Sequence, residues 1–508
     1  MTDKAKVAKN TSYFTLALIF QKIITFAYFA LIAKNFSPAD LGKYYFAISF
    51  ATIFNIFIDL GIANLATREG AKSFNYDSTR PQKILSNTLA LRLFLALLTF
   101  AAAMIVSYLL GYSTVVRNLI FFALLATILD SFSLLFYSLI RGFHNLFFES
   151  LSAVIFPFLV LLGGFLLMRQ GASIRWLIIP LALASAVNCL FSGFLLRFRF
   201  RLKLKPALDF VYLKAFLIMA LPFAGYAIIQ RFYTYFDTVL LSILTDDHQV
   251  GIYQIPFKII NAFQFLPMAL AASLYPFFSA EWKRHKENLS QPAVGLAPAE
   301  NHLQKLQIGF QQSCRYLIII ALPVSLGIFT LARPLLLLFR PEYLEALLPL
   351  RWSIFSLIFI FLGFPVGALL NGCDRQKANT MIMLVVFLFS IVSNLIFIPW
   401  AEKTSGQGAI GASLTVLLAS IFFFVLGWKY AMGLISINYK NFILTLSKTS
   451  LAAGLMTLLV MFLSEKIPLL VLILISGLAY GTGLLVLREV SWHEIRRFLR
   501  LFKNKDLA

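Results

Sequence analysis

Residues 12–33 read SYFTLALIFQKIITFAYFALIA, an apolar block broken only by Gln21-Lys22 and a few small polar side chains. A bilayer's hydrocarbon core is crossed by roughly 20 apolar residues of helix. Lipid offers a backbone no hydrogen-bond partners, so a block of this kind must be helical. Similar blocks follow at 43–66, 86–110, 118–140, 151–168, 176–196, 211–236, 251–275, 313–338, 350–371, 379–399, 408–428, 443–463 and 467–487. The fold class expected is therefore all-α: a polytopic membrane protein of about fourteen transmembrane helices. Composition agrees, with 60% hydrophobic and only 13% charged residues, against roughly 45–50% apolar and 25% charged in soluble domains. The leading MTDKAKVAKN precedes a block too long for a signal peptide and without a small-residue cleavage pattern, so it reads as the tail before a retained span.

The net charge of +22 is explained by basic tails beside the spans rather than by nucleic-acid binding. In alternate connections, one side collects about 27 of the 44 basic residues and the other about 10. The run RFRFRLKLK at 197–205 alone supplies five. The basic side is cytoplasmic by the positive-inside rule, which puts both termini there, together with a long polar connection at 276–312. That connection reads as a flexible linker with an amphipathic segment near His302–Phe310. Cys189, Cys314 and Cys373 are scattered in or beside apolar blocks and suggest neither disulfides nor a metal site.

The basic run also divides the chain. NFSPADLGKYYFAISF at 35–50 and LTDDHQVGIYQIPFKI at 244–259 each carry a helix-capping residue, a glycine and a tyrosine at the start of a span. Gly42 and Tyr44 correspond to Gly251 and Tyr253. Six spans lie before the division and eight after it, so the repeat is parallel, an arrangement of transporters with a central site. The expected domains are an N-terminal lobe at 1–200 (spans 1–6), a C-terminal lobe at 201–430 (spans 7–12), and residues 431–508, holding two extra helices and a basic cytoplasmic tail.

Charges inside spans are costly and usually face a bundle interior or a wet cavity. Arg315, Lys214 and Lys448 lie near span ends, where they can snorkel; Arg92 is intermediate. Lys22, Arg231 and Lys258 sit deep. Gln230, Thr234 and Asp237 share a helical face beside Arg231, and Gln254, Lys258 and Asn261 form a second polar stripe. Two compatible readings stand: ion pairing between helices, or the lining of a cationic cavity that attracts phosphate. Asp59 and Asp237 are candidates for ion or proton coupling, with neutralisation of nearby bases as the alternative. No nucleotide-binding, metalloprotease or hydrolase motif is present, so an enzyme is not expected and neither cofactor nor metal is called for. Asp246, Asp247 and His248 read as a loop and helix start.

The stretch FALIAKNFSPADLGKYYFAISFATIFNIFIDLGIANLATREGAK, Phe29–Lys72, resembles the opening of the polysaccharide/oligosaccharide (O-antigen type) flippase family of the multidrug/oligosaccharidyl-lipid/polysaccharide exporter superfamily. Ser138-Leu139-Ile140-Arg141-Gly142, the segment from Asp237 to Pro276, Pro341-Glu342-Tyr343 and Asn371-Gly372 extend the likeness over about residues 10–430. Arg340 replaces the family's usual glycine, and fourteen spans exceed its usual twelve but match the related lipid II flippase. The resemblance implies flipping of undecaprenyl-diphosphate-linked oligosaccharide across a bacterial inner membrane by alternating access. Lipid II flipping, multidrug export and an accessory role in glycan synthesis are the alternatives. It also implies substrate contacts at Lys22, Arg68, Arg231 and Lys258, with Gln254 and Asn261 beside them. The implied partners are the lipid-linked oligosaccharide, anionic membrane lipids, a polysaccharide polymerase and a chain-length regulator.

Overall fold

A computed structural model describes residues 3–73, 79–143, 145–290, 299–464, 466–494 and 496. Close contacts group the chain into two compact units, 1–254 and 255–508. The first contains α1 (Asp3–Asn35), α2 (Pro38–Phe54), α3 (Ile56–Asp59), α4 (Ile62–Ser73), α5 (Thr79–Leu109), α6 (Thr114–Gly142), α7 (Phe147–Arg169), α8 (Ile178–Phe194), α9 (Phe210–Leu244) and the start of α10 (Asp247–Phe263). The second contains the rest of α10, then α11 (Phe265–Ser290), α12 (Ala299–Thr330), α13 (Ala332–Leu336), α14 (Leu347–Ser353), α15 (Ser356–Gly372), α16 (Gln376–Ser405), α17 (Gly408–Met432), α18 (Tyr439–Leu463) and α19 (Leu469–Val486). Among the described residues 12 helices are long and apolar enough to span a bilayer, and 14 segments result if two bent pairs each count as one. One of these bends, of 67°, falls between Met219 and Ala224. The division drawn at residue 200 follows the sequence repeat, whereas packing keeps α9 with α2 and α4.

Two expectations need correction. The block 43–66 is not one helix. It stops at Asp59, because Leu60 adopts left-handed backbone (φ 40°) and Gly61 follows at φ 74°. Hydropathy is blind to that break. A left-handed residue closes the helix end, and α4 then starts as a separate amphipathic helix. The connection 276–312 is not a flexible linker over its described part. α11 continues to Ser290 and α12 begins at Ala299, so His302–Phe310 lies within a long helix. Buried Glu281 ties the two together, with His302 Nδ1 at 2.7 Å and Arg284 at 2.8 Å from its carboxylate oxygens. Residues 291–298 and the basic tail beyond Arg496 lie outside the described residues.

The repeated motif acquires a physical reason. Ser37 caps α2 by accepting from the Asp40 amide at 3.3 Å, and Asp246 caps α10 by accepting from Gln249 at 2.8 Å. The glycines then meet reciprocally. A Cβ on Gly42 would lie 1.8 Å from the Asp247 carbonyl oxygen, and one on Gly251 would lie 1.8 Å from that of Pro38. The two helix starts therefore pack backbone to backbone, a contact that only residues lacking Cβ allow. Tyr44 and Tyr253 are both buried behind it.

Outside the spans, Asp209 caps α9. The Tyr212 amide it accepts from, at 3.0 Å, and the Lys83 ammonium, also at 3.0 Å, hold its carboxyl below the usual carboxylate range. Its contribution is present above the unfolded pKa of about 3.9 and is lost as pH falls through the lower folded value.

In the second unit, Arg315 and Lys448 do not simply snorkel. Arg315 Nε donates to Glu489 at 2.9 Å and Nη1 to Glu494 at 3.1 Å, while Lys448 lies 3.7 Å from Glu489 and Thr445 donates to it at 2.9 Å. The buried Glu489 thus ties α12 and α18 to the segment after α19. Charged hydrogen bonds of this type contribute about 1.5–3 kcal/mol. Glu489→Gln is expected to lower stability by about 2 kcal/mol, read as a lower melting temperature of the purified protein.

Candidate functional site

The helix break at Leu60 leaves Asp59 at the end of α3, where it meets the most deeply buried cation of the first unit. Arg92 on α5 is 0% exposed. Its guanidinium donates to the Asp59 carboxylate and to the backbone carbonyl of Ser131 on α6. Arg92 Nε has no acceptor. Arg231 on α9 lies within electrostatic reach of Arg92. Three helices and the α3 break thus bring Asp59, Arg92 and Arg231 into one electrostatic neighbourhood. Asp59 offsets Arg92. Among the described residues no carboxylate pairs with Arg231.

Lys22 is half-buried on α1 and likewise has no carboxylate partner among the described residues. Asp237 is buried on α9 and accepts from the Tyr253 hydroxyl at 3.4 Å. Gln254 is only 1% exposed and donates to Thr238 at 3.3 Å. Its amide therefore serves the packing of α9 on α10, and it does not lie open beside a cavity. Lys258 is half-buried, with its ammonium 5.6 Å from the centre of the Phe257 ring. Asn261 donates back to the Phe257 carbonyl at 2.8 Å. Arg68 is exposed on α4, next to the buried Glu69, which pairs with Arg80 at 2.6 Å.

Sequence reading missed Arg92 as the partner of Asp59. The available signal was an arginine seven residues inside a span boundary, too deep to reach an interface comfortably. The partner itself depends on where α3 ends, which the apolar pattern does not encode. Among the described residues no group of three or more His, Cys, Asp or Glu side chains could hold a metal.

Residues 7–282 match the family model described as polysaccharide biosynthesis protein. The chain belongs to this family. The fold is also that of two solved transporters. A structure titled lipid II flippase MurJ, inward closed conformation, superposes with a TM-score of 0.72 at 17% identity, covering 94% of this chain and 99% of the other. A multidrug resistance MATE family transporter of the MOP superfamily, inward-facing, superposes with a TM-score of 0.64 at 15% identity, covering 84% and 95%. At these identities the likeness is one of fold, and it makes the chain a multi-pass membrane protein of that superfamily's architecture. No curated protein matches by sequence.

Proposed function

We propose that this protein carries polyprenyl-diphosphate-linked glycans across a bacterial cytoplasmic membrane by alternating access. The observation that carries the reading is the pair of in-span cations, Lys22 and Arg231, that lack a carboxylate partner while Arg92 is already matched by Asp59. An uncompensated charge in hydrocarbon is expensive and is tolerated where a ligand supplies the counter-charge. A diphosphate offers several acceptor oxygens to lysine and to the guanidinium fork, and a polyprenyl tail can stay in the lipid. Membership in the polysaccharide biosynthesis family supports the glycan. Within this class, likeness to the lipid II flippase over 94% of the chain favours lipid II over the O-antigen type oligosaccharide lipids. A cationic drug fits poorly beside Arg231 and Lys22.

The charge alternation supports a cytoplasmic position for both termini. The run from Arg197 to Lys205, whose basic side chains are exposed, would then face the anionic inner-leaflet headgroups. Asp59 and Asp237 stay candidates for coupling to an ion, each through the base or hydroxyl it contacts.

Proteoliposomes holding the purified full chain test the reading. Fluorescent lipid II, an undecaprenyl-diphosphate oligosaccharide and a cationic dye are offered in turn. Translocation of the diphosphate lipids, lipid II foremost, is the expected result. Movement of the dye alone would overturn the proposal, and movement of the oligosaccharide lipid without lipid II would return the assignment to the O-antigen branch.

A further inference from the structure

Asp130 lies near the middle of α6 and has no lysine, arginine or histidine partner among the described residues. Of the acids deep in the first unit's spans it is the one left without a positive or phenolic contact: Asp59 has Arg92, and Asp237 has Tyr253. Fully buried Ser185 on α8 lies beside the Asp130 carboxyl, and its hydroxyl has no hydrogen-bond partner among the described residues. Arg92 approaches α6 at the neighbouring residue, on the carbonyl of Ser131, and stays with Asp59. From α8 the facing titratable group is Cys189, which also meets Ser133.

Beyond this carboxyl a series of polar side chains follows the seam between α6 and α8. Asp130, Ser133 and Tyr137 recur at helical spacing on α6, and Ser185, Asn188, Cys189 and Ser192 do so on α8. Tyr137 donates to Asn188 Oδ1 at 2.9 Å, and Ser152 of α7 donates to the same oxygen. Tyr137 in turn feels the charge of Glu149, which pairs with Arg141 at 3.3 Å. From Asp130 to Arg141, eleven steps along α6, the helix rises about 16 Å, about half of a hydrocarbon core. Apolar packing would hold α6 against α8 at lower cost than these hydroxyls and the carboxyl do, so the seam calls for a role beyond packing.

We propose that Asp130 is a proton-binding site in the membrane, loaded through the α6–α8 seam from the face that carries Arg141 and Glu149. The carboxyl binds one proton and releases it as one proton, with no other bond changed. A hydroxyl beside the carboxyl, as Ser185 supplies, can accept from the protonated acid or donate to the ionised one. The site itself rests on an in-span carboxyl that has no cationic partner among the described residues and on the buried, unpaired hydroxyl of Ser185; its use in driving transport rests on the proposed function.

The two are separated by a readout that needs no substrate. Infrared difference spectra of the full chain in nanodiscs, taken as pH is stepped, are expected to show a carboxylic-acid carbonyl band that Asp130→Asn removes and Asp130→Glu shifts. Tyr137→Phe should keep the band but slow its appearance after a pH jump. Equal melting temperatures of Asp130→Asn and the parent would show that the fold is intact; should that variant not fold, the displaced band of Asp130→Glu makes the same assignment. A band unchanged by both substitutions overturns the proposal. So does a band that sodium removes at constant pH, which would make Asp130 a metal-cation site. In proteoliposomes, one pH unit across the membrane should bias lipid accumulation by up to about tenfold for one proton per cycle, and Asp130→Asn should abolish that bias. Transport without bias, with the band present, would count against coupling and leave the proton site standing. An absent band with transport intact would do the reverse.

Discussion

Asp59→Asn is expected to destabilise the protein by about 3–5 kcal/mol, the range for breaking a buried ion pair from one side. Arg92 would keep its charge at 0% exposure, with the Ser131 carbonyl as its remaining acceptor and Nε already unmatched. Among the described residues no other carboxylate pairs with Arg92. Arg92→Met should cost less, because Asp59 is 20% exposed and can be solvated or protonated. The double variant Asp59→Asn, Arg92→Met should recover most of the loss, since an apolar replacement of both partners is often neutral. Melting temperatures of the four proteins in one detergent form the cycle. Equal melting of Asp59→Asn and the parent would show that the pair contributes nothing.

Substituting either glycine of the repeated motif should be nearly as damaging. In Gly42→Ala and Gly251→Ala the new methyl would fall 1.8 Å from a backbone oxygen, and backbone in a helix start cannot rotate away as a side chain can. Overpacking of this kind costs about 1–3 kcal/mol, and the upper end is expected because both obstacles are main chain. The double variant should lose little more than either single one: moving α2 away from α10 relieves both clashes at once, so the effects do not add. Fully additive losses would indicate two independent contacts and would contradict the reciprocal packing. Serine in place of either glycine is expected to behave like alanine, since the obstacle is met at Cβ.

The contrast between these two sites shows what the sequence makes legible. The number and class of spans follow from lipid's inability to satisfy a backbone, and that requirement is written in block length. The paired G-x-Y motifs were visible as a repeat 209 residues apart, but the reason for glycine is a distance between backbones, which no pattern along one strand of sequence contains. Leu60 looks like the continuation of a span because its side chain is apolar; its backbone is what ends the helix. Residues 276–290 looked like linker because they are polar, yet the Glu281–His302 contact needs those same polar groups on two helices. Gln254 fitted a cavity stripe by spacing, but the stripe's periodicity says which residues share a face and not what the face meets; at that face stands Thr238. The deep charges were recognisable one by one, whereas their pairing was not. Lys22 and Arg231 remained without a carboxylate, and Arg315, Lys448 and Arg92 did not.

The central claim is that unpaired cations in the spans receive the diphosphate of a lipid-linked glycan. Its most direct measurement is the translocation rate of fluorescent lipid II in proteoliposomes bearing the parent or Lys22→Gln, Arg231→Gln protein, matched for protein incorporated and for melting temperature. Charge-assisted contacts contribute about 1.5–3 kcal/mol each, so the double variant should be slower by at least about tenfold, and a Lys22→Arg, Arg231→Lys protein, which keeps both charges, should retain most of the rate. Translocation by the double glutamine variant at the parent's rate would contradict the account.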